Sequence, residues 1–153
     1  MHFAPLAISH DRTAAMTEIT LRGQLVSGQG VARHYTREAW ARKAFMTAAG
    51  IDPFPGTLNL SLPEGTERRR WLARRGNAGI LLPAPNPSFC DGRLFLAAVS
   101  SESAGRSVAG AVVVPMVAGY PEDQLEIIAA IGLRDALAVE DGAGLLVRID
   151  LGG

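Results

Sequence analysis

Many short apolar runs punctuated by turn residues, with only two or three short helical stretches between them, predict a mainly β chain folded as a compact β-barrel with helical inserts. Apolar residues make up 48% and charged residues 20% of the 153 residues, which is globular usage and enough chain to bury a core. Residues 1–17, interrupted by Pro5, His10, Asp11 and Arg12, read as a flexible leader, and 18–153 as one barrel domain.

Glu18 to Ser27 carries Ile19, Leu21 and Leu25 at strand spacing and reads as the first strand. It runs into Gly28-Gln29-Gly30-Val31-Ala32-Arg33, where two glycines can take left-handed backbone angles and let amides converge on an anion, or simply form a loop. Thr36 to Ala49 predicts a helix with Thr36 as N-cap, Glu38 in the first turn and Gly50 as the stop. Ala41, Ala44, Phe45 and Ala48 form its apolar face, with Trp40 beside them either in the core or stacked on a ligand ring.

Pro53-Phe54-Pro55-Gly56 is a rigid turn entering a strand at Thr57. Residues two apart on a strand share a side, so Thr57 and Asn59 present a hydroxyl and an amide together while Leu58, Leu60 and Leu62 face inward. Two neutral oxygens placed this way can hold a hard cation such as Mg²⁺ beside a nucleotide phosphate, or can be the polar face of a strand. Thr66 to Arg75 holds Arg68, Arg69, Arg70, Arg74 and Arg75 around Trp71 and Leu72, a cluster that invites a nucleic-acid reading but at zero net charge reads rather as a solvated short helix pinned by its two apolar residues.

Ile80 to Leu82 is a short strand, Leu94 to Val99 a strand buried on both faces, and Val108 to Val114 another near-continuous apolar run. In the segment from Glu122 to Ala130, Glu126 lies between Leu125 and Ile127. Its carboxylate is either solvated or partly desolvated and fitted to proton handling. Gly132 to Leu137 predicts a short helix, and Leu145 to Leu151 the last strand.

The formal net charge is zero, which removes any long-range attraction to nucleic acid or anionic membrane. Lys43 is the only lysine, so no lysine phosphate loop is present. Cys90 is the only cysteine, which excludes an internal disulfide or cysteine metal cluster and leaves it a bystander thiol in a cytoplasmic protein.

Three segments taken together resemble the archaeal-type CTP-dependent riboflavin kinases: Gly23 to Gly30, Pro53 to Leu60, and Leu125 to Arg134, with GTLN after a Pro-aromatic-Pro turn and EIIA followed by LR. The resemblance implies a six-stranded cradle-loop β-barrel that transfers the γ-phosphoryl group of CTP to the 5′-hydroxyl of riboflavin, and the chain is expected to act on these small molecules as a monomer. It further implies Mg²⁺ on Thr57 and Asn59, nucleotide binding by Gly28, Gln29, Gly30, Val31, Ala32 and Arg33 and by Ile131, Gly132, Leu133 and Arg134, and a catalytic, flavin-side carboxylate at Glu126. Ala32 replaces a family glycine, Ala118 a flavin-contacting threonine and Ala130 a proline. These departures keep open a non-catalytic nucleotide- or flavin-binding module and a kinase for another hydroxylated small molecule.

Overall fold

The computed structural model describes residues 17–28, 30–103 and 105–152. Of the expected leader only Thr17 falls among them, and its carbonyl accepts the Leu151 N–H at 2.7 Å; Gln29 lies outside the described residues. The chain is mainly β with short helices. Its strands are β1 (Glu18–Val26), β2 (Leu58–Ser61), β3 (Ile80–Leu82), β4 (Gly92–Ser101), β5 (Ser107–Pro115), β6 (Gln124–Ile128) and β7 (Gly144–Asp150). A 3-10 segment (Val31–Arg37) and three α-helices, α1 (Ala39–Ala49), α2 (Thr66–Arg74) and α3 (Leu133–Leu137), complete it.

All pairings are antiparallel, in the order β3-β4-β5-β6-β2-β1-β7. A further pairing of β4 with β7, from Ala97 opposite Ile149 to Ser101 opposite Leu145, closes a ring of hydrogen bonds. Alternation then sorts side chains to two sides. Leu25, Leu60, Phe95, Val112, Leu125, Ile127, Leu145 and Val147 join Trp71 in the larger core, whereas Leu94, Ala111, Val113 and Ile128 meet Phe45 and Ala41 of α1 in a second one. The middle of β5 is therefore buried on both faces, as its continuous apolar run predicts. In β4 the expectation fails at Leu96, which is 40% exposed.

The helix expected from Thr36 begins later. Thr36 belongs to the 3-10 segment, its hydroxyl donating to Arg33 O at 2.7 Å and accepting the Gly56 N–H at 3.0 Å. Glu38, in extended conformation, takes the N-cap position without a side-chain cap, and Gly50 ends α1 with φ 68°. Thr36 instead ties the 3-10 segment to the turn before β2. Trp40 packs edge-on to Tyr35 at 5.7 Å and tilted on Phe89 at 5.5 Å, which places it beside the second core. Helix α2 is pinned by the fully buried Trp71, set edge-on against Phe95 at 4.9 Å.

Candidate functional site

Strand β2 lies between β1 and β6, so Asn59 has Val26 on one side and Glu126 directly opposite on the other. Over this pair passes the chain leaving β1. The Asn59 amide nitrogen donates to Gly28 O and to Thr57 O, both at 3.3 Å, which fixes the amide plane. Its Oδ1 accepts from Gln124 Nε2 at 3.4 Å and lies under Gly30. A Cβ at Gly30 would stand 1.7 Å from Glu126 Oε1 and 2.7 Å from Asn59 Oδ1.

That proximity corrects the reason given for the glycines. Gly30 has φ −64° and ψ 152°, and Gly28 is likewise absent from the glycines with positive φ. Neither needs left-handed freedom. Gly30 is required because the backbone touches two buried polar side chains, and Ala32 fits because its angles belong to the 3-10 segment while its N–H donates to both Glu126 oxygens at 3.1 Å.

Glu126 is fully buried, on the desolvated side of the two sequence alternatives. Its carboxylate accepts from Ala32 N–H, from the Thr57 hydroxyl at 3.0 Å and from the Tyr120 phenol at 2.5 Å. Burial, then the Glu126 charge and hydrogen bond, pushes the Tyr120 phenol well above its ordinary value of 10.0. Arg75, just past α2, holds Tyr120 from the other side: its guanidinium is 5.3 Å from the ring centroid and donates to Tyr120 O and Pro121 O at 3.2 and 3.1 Å.

Thr57 also faces a cavity of about 270 Å³. One wall is the Pro55-Gly56-Thr57 turn, anchored by the Phe54 N–H on Ala129 O at 2.8 Å; the other is Ile131, Gly132 and Arg134 at the start of α3. The Phe54 ring lies against Gly132, where a Cβ would be 3.3 Å from Cζ, and Phe54 and Ile131 keep 53% and 49% of their surface exposed. Arg134 donates to Asp141 Oδ1 at 2.8 Å, and the Ser27 hydroxyl bonds the other oxygen of the same carboxylate. Hydrogen bonds from Ser27 and then Arg134 hold the Asp141 carboxyl below its ordinary value.

The sequence-predicted residues thus fall into two adjoining groups. Gly30, Ala32, Asn59 and Glu126 form a buried cluster; Ile131, Gly132, Leu133 and Arg134 line the open cavity; Thr57 belongs to both. Val31 is exposed beside the cluster, and Arg33 folds back onto Gly30 O at 3.3 Å. Ala118 and Ala130 both lie on exposed backbone. Among the described residues no three His, Cys, Asp or Glu side chains gather as a metal site, so a cation here would rest on Thr57 and Asn59 oxygens near the single Glu126 carboxylate. Their donor chemistry fits Mg²⁺, all oxygen, with the Gly30 backbone packed so closely over them that a Cβ there would stand 2.7 Å from Asn59 Oδ1. Tyr120, Arg75 and Asp141 were not singled out from sequence, since Tyr120 beside Gly119 and Pro121 reads only as a turn.

The family model CTP-dep_RFKase, described as a domain of unknown function, DUF120, matches residues 25–149, from the end of β1 through nearly all of β7. The chain belongs to this family. It is 33% identical over 135 residues to a riboflavin kinase of Archaeoglobus fulgidus, covering 87% of this chain and 55% of that protein. A riboflavin kinase of Pyrobaculum aerophilum is 38% identical over 136 residues, 88% of this chain and 62% of its own. One from Methanosarcina barkeri is 36% identical over 135 residues, 86% of this chain and 56% of its own. The chain therefore spans little more than half the length of these relatives.

Proposed function

We propose that this protein is a CTP-dependent riboflavin kinase, transferring the γ-phosphoryl group of CTP to the 5′-hydroxyl of riboflavin to give FMN and CDP. One observation carries the reading: Thr57 joins a glycine-covered cluster of buried oxygens to an open cavity walled by the 131–134 segment. The family description supports CTP as donor, and the names of the relatives support riboflavin as acceptor. The ring closed by β4 and β7 supports reading the fold as a six-stranded cradle-loop barrel with β3 outside it. The protein so read is a cytoplasmic monomer that acts on small molecules without nucleic acid or membrane. Among the described residues no helix is long and apolar enough to cross a bilayer.

Phosphoryl transfer asks a protein chiefly to align two oxygens about phosphorus and to neutralise charge. The riboflavin 5′-oxygen bonds to the γ-phosphorus, the bond from that phosphorus to the bridging oxygen breaks, CDP departs with the electron pair, and the hydroxyl proton is released. Thr57 and Asn59 would hold Mg²⁺, which supplies charge neutralisation to the phosphates when bound. Gly28 to Arg33 and Ile131 to Arg134 grip the nucleotide from two sides, the exposed faces of Phe54 and Ile131 adding apolar contact. Glu126 orients the 5′-hydroxyl or takes its proton. Because its carboxylate is fully covered, this role requires the 28–33 loop to move aside as the acceptor enters.

The same burial favours a second reading, a binding module without turnover. Purified protein incubated with riboflavin, Mg²⁺ and either CTP or ATP separates the two. FMN formed from CTP, detected by chromatography, is the expected result. Absence of FMN with both donors would overturn the kinase, and tight CDP binding without FMN would establish the second reading.

A further inference from the structure

The proposed kinase leaves unexplained why a buried carboxylate beside the metal strand is hydrogen-bonded by a tyrosine that is itself clamped by an arginine. A threonine hydroxyl has one proton and two lone pairs, and only the lone pairs can face a cation. Thr57 lines the cavity, and its Oγ1 donates to Glu126 Oε1 at 3.0 Å. Glu126 Oε2 is engaged by the Tyr120 hydroxyl at 2.5 Å, and both oxygens by Ala32 N–H. Both other groups donate to Glu126, and the carboxylate accepts from Thr57 as well. Arg75 fixes Tyr120 through its ring and its carbonyl.

We infer that Tyr120, held by Arg75, is a positioning residue of the metal site: by anchoring Glu126 it directs the Thr57 proton inward and turns the Thr57 lone pairs to the cavity. This rests on the reading of Thr57 as a metal ligand. Tyr120 touches neither nucleotide nor metal in this arrangement; it acts through Glu126 and Thr57. It also gives the arginine-rich segment a function at its last member, Arg75. Arg68 bonds Leu62 O, Arg69 bonds the Thr66 hydroxyl and Arg70 bonds Glu67.

The test is Mn²⁺ binding in the presence of CDP, followed by electron paramagnetic resonance, for the wild type, Tyr120→Phe, Thr57→Val and the double variant. Tyr120→Phe keeps the ring and removes one hydrogen bond, and should weaken Mn²⁺ binding about fivefold. In the Thr57→Val background the same change should add nothing, since the hydroxyl through which Tyr120 acts is gone. An unchanged Mn²⁺ midpoint in Tyr120→Phe would overturn the inference, and so would a loss that adds fully to that of Thr57→Val. If Tyr120→Phe does not fold, Arg75→Lys decides: it keeps the charge but loses the paired carbonyl bonds, with about a twofold weakening expected and no change overturning the inference. A wild type that binds CDP but no Mn²⁺ would instead overturn the metal assignment on which the inference stands.

Discussion

Gly30 is the residue where the two halves of the cluster meet. Adding one methyl group would place a carbon 1.7 Å from Glu126 Oε1, and three donors prevent that carboxylate from swinging away. Gly30→Ala should therefore destabilise the fold by about 1–3 kcal/mol and weaken CDP binding together with it. Urea unfolding and titration calorimetry measure the two; a stable variant with unchanged CDP affinity would show that the 28–33 loop can lift off without consequence. Thr57, Asn59 and Glu126 were legible in the sequence because strand alternation puts the first two on one side and apolar neighbours flank the third. Tyr120 and Arg75 were not, because their meeting bridges 45 residues of chain and depends on how α2 docks against the turn before β6.

At the scale of elements, apolar patterning located β1 to β5 and β7, but it left β6 (Gln124–Ile128) as an unassigned segment around Glu126 and could not tell where α1 starts. Thr36 has the chemistry of an N-cap, and the sequence does not reveal that the Gly56 N–H, 20 residues on, competes for its hydroxyl. Helix α3, which carries the 131–134 segment, ends on a compromise of another kind: Ala138 is its C-cap with φ 54°, the left-handed region where a Cβ is unfavourable. Ala138→Gly removes that strain but loosens the unfolded chain, leaving a net stabilisation of about 0.5–1 kcal/mol. A higher urea midpoint with the same slope is the expected measurement; a lower one would mean that the alanine side chain, although exposed, is held by contacts worth more than the strain.

Across the whole molecule, the contact that no local pattern announces is the pairing of β4 with β7. It brings Val99 opposite Val147 and is set by the cumulative twist of the strands between them. Both strands contribute to the larger core, in which Leu145 is completely buried beside Leu25 and Trp71. Leu145→Ala should cost about 2–5 kcal/mol, with fluorescence of the two tryptophans and far-ultraviolet dichroism moving together in one transition. Separate transitions would show that the second core, under α1, unfolds on its own.

The arrangement of pairings also bears on how the protein behaves when concentrated. β4 gives one edge to β5 and divides the other between β3 and β7, and β1, β2, β5, β6 and β7 each have neighbours on both sides. Among the described residues β3 is the one strand paired along a single side, over three residues, with Leu81 49% exposed and Pro83 following at once. A template that short, cut off by a residue unable to donate, is a poor seed for strand addition between copies. Crowding should therefore drive this protein toward fibrils only after the ring itself has opened.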